Sequence, residues 1–423
     1  MLNPKPIPDS ILNTKYYSNA RVFRDQAHNA GFDDESNWSK EPRHGIYKVN
    51  YFSFFFLLYK SVKDLLYLQL DLAVDWDIVK DELDGDVVPS AIGGEIWYGM
   101  NSGAKFSLDR PGNYLERAID TGLVTLKTLH LVNRIQYDPS SKLYTVNALI
   151  LDEETGAVVD EEQFETEKLF LAAGSVMTSA LLVRSKAVGD LPDLNQFTGK
   201  NWGNNGDAFG FRFASSSDIN PAEGGPASFA LFYDDAPSDS TVLMNIPVLW
   251  ATVAGLNNII ATLCMGIPSP DGEFTYDASS DTVTLNWPQV PRPDQGSYDA
   301  AQEAFALLNE SNPDSSGALD PIASAAGVTG HPQGGFVLGK ATDMDCEAYG
   351  YDGLFVVDGA LVNGAAGAVN PAFTVAGLAE RCMDRIIAKH FDFSSGDSSN
   401  ADTSSAGTLQ FFALMLVVFV ILI

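Results

Sequence analysis

The stretch that most restricts the architecture lies late in the chain, where "GLFVVDGALV" (353–362) leads to "AVNPAFTVAGLAERCMDRIIAKH" (368–390). The first piece is an apolar run closed by Asp-Gly, a strand running into a turn. The second begins a helix: Asn370 is a good N-cap, and Pro371 stands at the first helical position. Phe373, Ala376, Ala379, Met383, Ile386 and Ile387 then recur at helical spacing. The first turn carries no acidic side chain, so its positive dipole end is left free for an anion. A second strand, small-residue turn and helix occurs at "KLFLAAG" followed by "SVMTSALLVRSKAV", with Gly174 at the turn. That order is the layout of a nucleotide-binding crossover.

The 423 residues carry 26 Lys+Arg against 55 Asp+Glu, a formal charge of -29. A surface so acidic repels phosphates, which argues against nucleic acid as a partner and suits a neutral or apolar substrate. The three cysteines, Cys264, Cys346 and Cys382, are odd in number and widely spaced. They read as separate thiols, with no disulfide framework and no metal cluster.

Residues 9–43 read as helical, with a glycine stop at Gly31. The aromatic block 47–74 is broken by Lys60, Lys63 and Asp64, too interrupted for a membrane span. "LVTLKTLHLVNRIQYD" (123–138) alternates and reads as strand, and 123–173 as a mostly antiparallel unit with a turn at "EETG". Further strands, "STVLMNIPVLWATVAG", "NNIIATLCMGIP" and "TYDASSDTVTLNW", are apolar enough to wall a hydrophobic cavity, and "SYDAAQEAFALLNES" is an amphipathic helix. No secretory h-region opens the chain. At the other end a polar segment from 393 precedes "FFALMLVVFVILI", short for the ~20 residues of a spanning helix. It fits the tail of a lipid-anchor signal or a tail-anchored segment, which places the protein at a membrane, extracellular in the lipid-anchor case. The sequons at Asn37 and Asn309 are of a kind that arises by chance.

"GHPQGGFVLGKATD" places His331 before a proline and two glycines. A histidine there can accept or share a proton near neutral pH, and the glycines allow a close backbone approach to a flat ring.

Several long pieces stand in the order of a known family: "NTKYYSNARVFRDQA", "DWDIVKDELDGDVVPSAIGGEIWYGMNSGAKFSLDR", "GLVTLKTLHLVNRI", "EKLFLAAGSVMTSALLVRSKAVGDLPDLN", "WGNNGD" and "HPQGGFVLGKATD" with the Val-Asp-Gly and Asn-Pro motifs behind it. The chain resembles the glucose-methanol-choline (GMC) oxidoreductases, in the cholesterol oxidase branch that binds FAD non-covalently. The resemblance implies an α/β (α+β) FAD-binding fold with a substrate domain built on a mostly antiparallel sheet with helices. It implies FAD contacts at Val132, Gly174, Asp358, Gly359, Asn370 and Pro371, with His331 and Asn370 as catalytic residues. It implies oxidation of the 3-hydroxyl of a sterol with O2 as acceptor; a non-catalytic truncated relative and a dehydrogenase with a non-oxygen acceptor remain as alternatives. His130 matches a family histidine and reads as structural.

On this template residues 1–110 belong to the substrate domain, with 47–74 as an insertion foreign to the family. Residues 111–210 belong to the FAD domain, 211–325 to the substrate domain and 326–392 to the FAD domain and active site. A linker (393–408) and a hydrophobic tail (409–423) follow. Two departures stand out. No G-x-G-x-x-G follows a strand, so the expectation is a chain shortened at its N-terminus. Asn245 in "VLMNIP" falls where the family carries the glutamate that shifts the steroid double bond. An amide cannot carry that proton, so isomerase activity is expected to be weak or absent.

Overall fold

The computed structural model describes residues 5–32, 64–69, 71–93, 103–104, 113–214, 219–225, 227–234, 240–248, 250–251, 253–321, 328–390 and 415–418. Most of the aromatic block, the polar segment after 390, most of the hydrophobic tail and the Asn37 sequon lie outside them. In chain order the elements are β1 (Lys5–Pro6), α1 (Asp9–Leu12), α2 (Ser18–Asn29), β2 (Asp64–Gln69), β3 (Asp71–Leu72), α3 (Trp76–Asp84), α4 (Tyr114–Ile119), β4 (His130–Asp138), β5 (Leu143–Leu151), β6 (Val158–Thr166), β7 (Lys168–Leu171) and α5 (Gly174–Ala187). Then come β8 (Lys200–Trp202), β9 (Ala208–Ala214), β10 (Phe229–Asp234), β11 (Thr241–Ile246), β12 (Ile259–Met265), β13 (Gly272–Asp277), β14 (Thr282–Asn286), α6 (Gln295–Ser311), β15 (Ser315–Leu319), β16 (Leu354–Val356), α7 (Ala372–His390) and β17 (Met415–Val418). The fold is mixed α and β, as the sequence leads one to expect.

A six-stranded antiparallel sheet, in the order β15-β9-β12-β11-β10-β2, forms one half. Strand side chains alternate between faces, and here both faces are covered. Phe229, Leu231, Leu243, Ile260 and Cys264 pack with Phe23 and Ala27 of α2 and with Ala301, Ala304, Phe305 and Leu308 of α6. The helical spacing of these apolar residues is what turns one stripe of each helix onto the sheet. Ala230, Val242, Met244, Ile246, Ala261, Leu263 and Met265 form a separate apolar layer on the other face, joined by Phe209, Phe211 and Phe232. The register pairs Leu243 with Cys264 and Met244 with Leu263, so each layer is continuous across the strands.

Arg212 is fully buried on the helix side. Its Nε donates to Gln26 Oε1 (3.0 Å), Nη1 to Asn309 Oδ1 (2.6 Å) and Nη2 to the Leu308 carbonyl (3.2 Å). Burial pulls its pKa down to about 10, so it remains a cation at neutral pH, held by neutral acceptors. Asn309 also donates its Nδ2 to the Gly317 carbonyl (2.9 Å). The amide that glycosylation would modify is therefore engaged inside the fold.

The other half is built on β7, with β16 and β17 parallel on either side. Leu169, Phe170 and Leu171 are fully buried, as expected for a central parallel strand covered on both faces. Phe170 stacks on Phe355 with ring centroids 4.8 Å apart. α5 and α7 share this core through Leu182, Cys382 and Ile386. The antiparallel unit β4-β5-β6 leans on it. Its first strand starts at His130, with the exposed segment Leu123 to Leu126 outside it.

The cysteines depart from the expectation of three separate thiols. Cys264 is a buried thiol, and burial pushes its pKa up. Cys346 and Cys382, 36 residues apart, are joined as a disulfide that ties the 343–347 loop to the middle of α7. Sequence spacing could not show this, because only the packing of α7 against that loop brings the two together. Among the described residues no helix is long and apolar enough to cross a membrane.

Candidate active site

The segment 203–207 and the segment 331–333 meet edge to edge. Gly203 N donates to the Gln333 carbonyl (2.9 Å) and Gln333 N to the Gly203 carbonyl (3.1 Å). So close an approach needs glycine: a Cβ on Gly203 would stand 2.4 Å from the Gly364 carbonyl oxygen. Gly334, at φ +91°, would set a Cβ 2.0 Å from the Asn201 carbonyl oxygen. Gly334 therefore serves a close backbone–backbone crossing, and Gly335 makes room for the Ser179 side chain.

This crossing places Asp207 beside His331. Asp207 is fully buried. Its Oδ2 accepts from the Gly330 N–H (3.0 Å) and the Thr329 hydroxyl (2.8 Å). His331 Nδ1 lies 2.9 Å from Oδ2 and 3.0 Å from Oδ1. An ionised carboxylate can only accept, so Nδ1 is the nitrogen that donates to it, which in that tautomer of the imidazole leaves Nε2 as the acceptor. Asn370 Nδ2 lies 3.2 Å from that Nε2, in donor position. Residues 207, 331 and 370 thus form a line of carboxylate, imidazole and amide, with the amide end exposed.

α7 begins one position later than the sequence suggests, at Ala372, with Pro371 and not Asn370 in the cap position. Val375 N donates to the Pro371 carbonyl (2.8 Å), so Pro371 opens the helical hydrogen bonding, and no acidic side chain sits in the first turn. The Asn370 side chain reaches His331 instead of capping the helix.

The predicted cofactor residues fall into a second group. Gly174 N donates to Asp358 Oδ2 (2.9 Å), and Thr178 Oγ1 donates to the same oxygen. Asp358 Oδ1 accepts from the Ala360 N–H (2.8 Å). Burial pushes the Asp358 carboxyl above the usual range, opposed by these hydrogen bonds. Gly359 joins this group to the histidine segment, because Gly334 N donates to the Gly359 carbonyl (3.0 Å). Val132 sits half-buried on β4 beside the parallel-sheet core, and no hydrogen bond described here links it to Gly174 or Asp358. His130 engages the Thr128 carbonyl (2.6 Å) and Glu162 (2.9 Å) with its two nitrogens, a structural role.

Asn245 lies on β11 and is held by three hydrogen bonds. Its Oδ1 accepts from the N–H groups of Ser228 (3.2 Å) and Phe229 (2.9 Å), and its Nδ2 donates to Asn19 of α2 (3.3 Å). It belongs to the helix-facing side of β11, with Leu243. The opposite side carries Val242, Met244 and Ile246, in the layer that also contains Ala368, two residues before Asn370. Asn245 therefore does not stand in that layer.

Asp207, Thr329, Asn205 and Gln333 are the residues that sequence reading did not single out. "WGNNGD" contains two of them, but nothing local signals a partner 124 positions away. Elsewhere Glu347, Asp352 and His390 bring ligand-type atoms within 4.8 Å of one another. Lys389 stands 3.0 Å from Glu347 and Lys168 3.7 Å from Asp352, so these carboxylates are already paired.

No protein-family model matches the chain. Among solved structures, the chain is similar to pyridoxine 4-oxidase from Mesorbium loti, with 16% identity and a TM-score of 0.40 over 58% of this chain and 55% of that one. It is also similar to a mutant of formate oxidase from Aspergillus oryzae RIB40 made to examine FAD modification, with 14% identity and a TM-score of 0.46 over 62% of this chain and 60% of that one. The chain thus spans somewhat over half the length of each, 55% and 60%.

Proposed function

We propose that the chain is a flavin-dependent oxidoreductase of the GMC type that oxidises a hydroxyl group on a bulky apolar alcohol. The observation that carries this reading is the Asp207–His331–Asn370 line, in which Nδ1 faces the buried carboxylate and Nε2 faces the amide. Alcohol oxidation needs a base for the hydroxyl proton, and an imidazole that donates from Nδ1 is one. Asp207 holds the ring orientation and stabilises the cation formed when Nε2 takes the proton. The Asn370 amide orients the hydroxyl oxygen before transfer.

Asn370, Pro371 and the first turn of α7, which carries no acidic side chain, fit the redox ring of FAD, since the helix end favours negative charge on its carbonyl edge. The space before Gly174 is open: a Cβ there would meet nothing within 4 Å. Asp358 and Gly359 would line the chain between ring and nucleotide. The diphosphate end fits less well, because the Gly174 N–H is already donated to Asp358. When bound, the flavin supplies the two-electron acceptor that no side chain offers.

The apolar layer behind Ala368 supports an apolar substrate body, and a sterol is the member of that class the family resemblance favours. Oxygen as the final acceptor and attachment to a membrane through the tail belong to the same proposal. The test is direct. The purified chain is mixed with FAD, and its absorption spectrum and hydrogen peroxide output are followed with cholesterol and with small alcohols. A yellow, peroxide-producing protein that prefers the sterol supports the reading. A protein that takes up no flavin overturns it.

A further inference from the structure

The line from Asp207 to Asn370 is assembled from three separate segments: 203–207, 329–333 and 364–370. One buried side chain touches all three. Asn205 is fully buried and holds φ +59°. Its Oδ1 accepts from Gln333 Nε2 (2.9 Å) and from the Ala366 N–H (2.9 Å). Its Nδ2 donates to the Val369 carbonyl (3.0 Å). Its backbone N donates to the Gly364 carbonyl (3.2 Å), and its backbone carbonyl accepts from Gly266 N (3.0 Å).

The partners' positions matter. Gln333 is two residues beyond His331, Val369 immediately precedes Asn370, and Asp207 follows Asn205 by two. Among the described residues, every hydrogen bond from 364–369 to a distant part of the chain ends on Asn205. Among the described residues the approach to α7 therefore has one polar tether, anchored in the turn two residues before Asp207 and joined through Gln333 to the segment that bears His331.

We propose that Asn205 is the positioning residue that sets the separation between Asn370 and His331. The inference rests on the functional reading above for its catalytic consequence, though its structural content stands on the tether alone. A merely structural Asn205 would change stability. A positioning Asn205 changes the contact at His331 Nε2 while leaving the Asp207 contact at Nδ1 in place.

The test uses the full chain with nitrogen-labelled histidine, five residues in all, and the His331 signal assigned by its loss in His331→Gln. Asn370→Ala gives the reference spectrum for an Nε2 without its amide partner. Asn205→Ala is expected to move the Nε2 resonance toward that reference and to keep the Nδ1–H signal. In the flavin-loaded protein, kcat falls about 10- to 100-fold, as expected for a displaced catalytic group, while KM changes less than about threefold. Asn205→Asp keeps both acceptor contacts and loses the donor to Val369; it shows the same Nε2 shift and covers the case in which the alanine variant does not fold. A folded variant whose Nε2 resonance matches that of the unaltered chain overturns the proposal. A chain that oxidises no alcohol sinks the functional reading, yet the nitrogen shifts still decide this inference.

Discussion

His331 Nδ1 lies 2.9 Å from Oδ2 of the fully buried Asp207, and this contact decides which imidazole nitrogen can act as a base. Asp207→Asn keeps the shape but offers a side-chain N–H as well as an oxygen. The ring then loses its bias toward Nδ1–H, and the other tautomer presents a proton where the substrate's proton must be received. Activity should fall by at least about 100-fold, within the range seen for a lost acid–base group. Flavin binding should be unaltered, and a flavin titration beside single-turnover reduction measures the two separately.

Replacing the base itself is the stronger perturbation. His331→Gln should lower the reduction rate by about 100- to 10,000-fold. Asn370→Ala should cost less, since it removes an orienting amide and leaves the base in place. Rapid mixing of the flavin-loaded variants with substrate ranks them, and equal rates for both would contradict the roles assigned here.

The Cys346–Cys382 disulfide closes a 36-residue span. Chain-entropy arguments give such a closure about 4 kcal/mol of stability. Cys382→Ala, or reduction of the unaltered chain, should lower the denaturation free energy by an amount of that order. Denaturant titration with and without reductant checks it, and a span of unchanged stability under reductant would show the bond to be absent in solution.

Acid should weaken the fold through His390. Burial lowers its pKa, opposed by the neighbouring Glu347 carboxylate. The unfolded chain, with an ordinary histidine pKa of about 6.5, therefore takes up this proton more readily than the folded one. The site's contribution is fully present above that value and is lost as pH falls through the lower folded value. His390→Phe, which keeps the edge-on contact with Phe355, should flatten the acid limb of a Tm profile between about pH 5 and 7.

Much of the layout was legible in the sequence because it is local. α2 ends where Gly31 takes φ +82°, α7 opens just after Asn370-Pro371, and β7 runs into α5 at Gly174. The convergence of His331 and Asn370 was also foreseen, from the order of motifs shared with a family. What was not legible depends on chain segments meeting at long range. Asp207 is an ordinary acidic residue until a backbone crossing sets it under His331. Cys346 and Cys382 are lone thiols until α7 packs on the 343–347 loop. The face taken by Asn245 was out of reach for a different reason: with side chains alternating along β11, a shift of one position in register moves a residue to the opposite face.

The same alternation has a practical corollary for engineering. Under the proposed function, positions 242, 244, 261, 263 and 265 are the ones whose joint diversification would retune ligand preference, while 243, 260 and 264 hold the helices. A library displaced by a single residue would spend its diversity on the scaffold and return mostly insoluble clones.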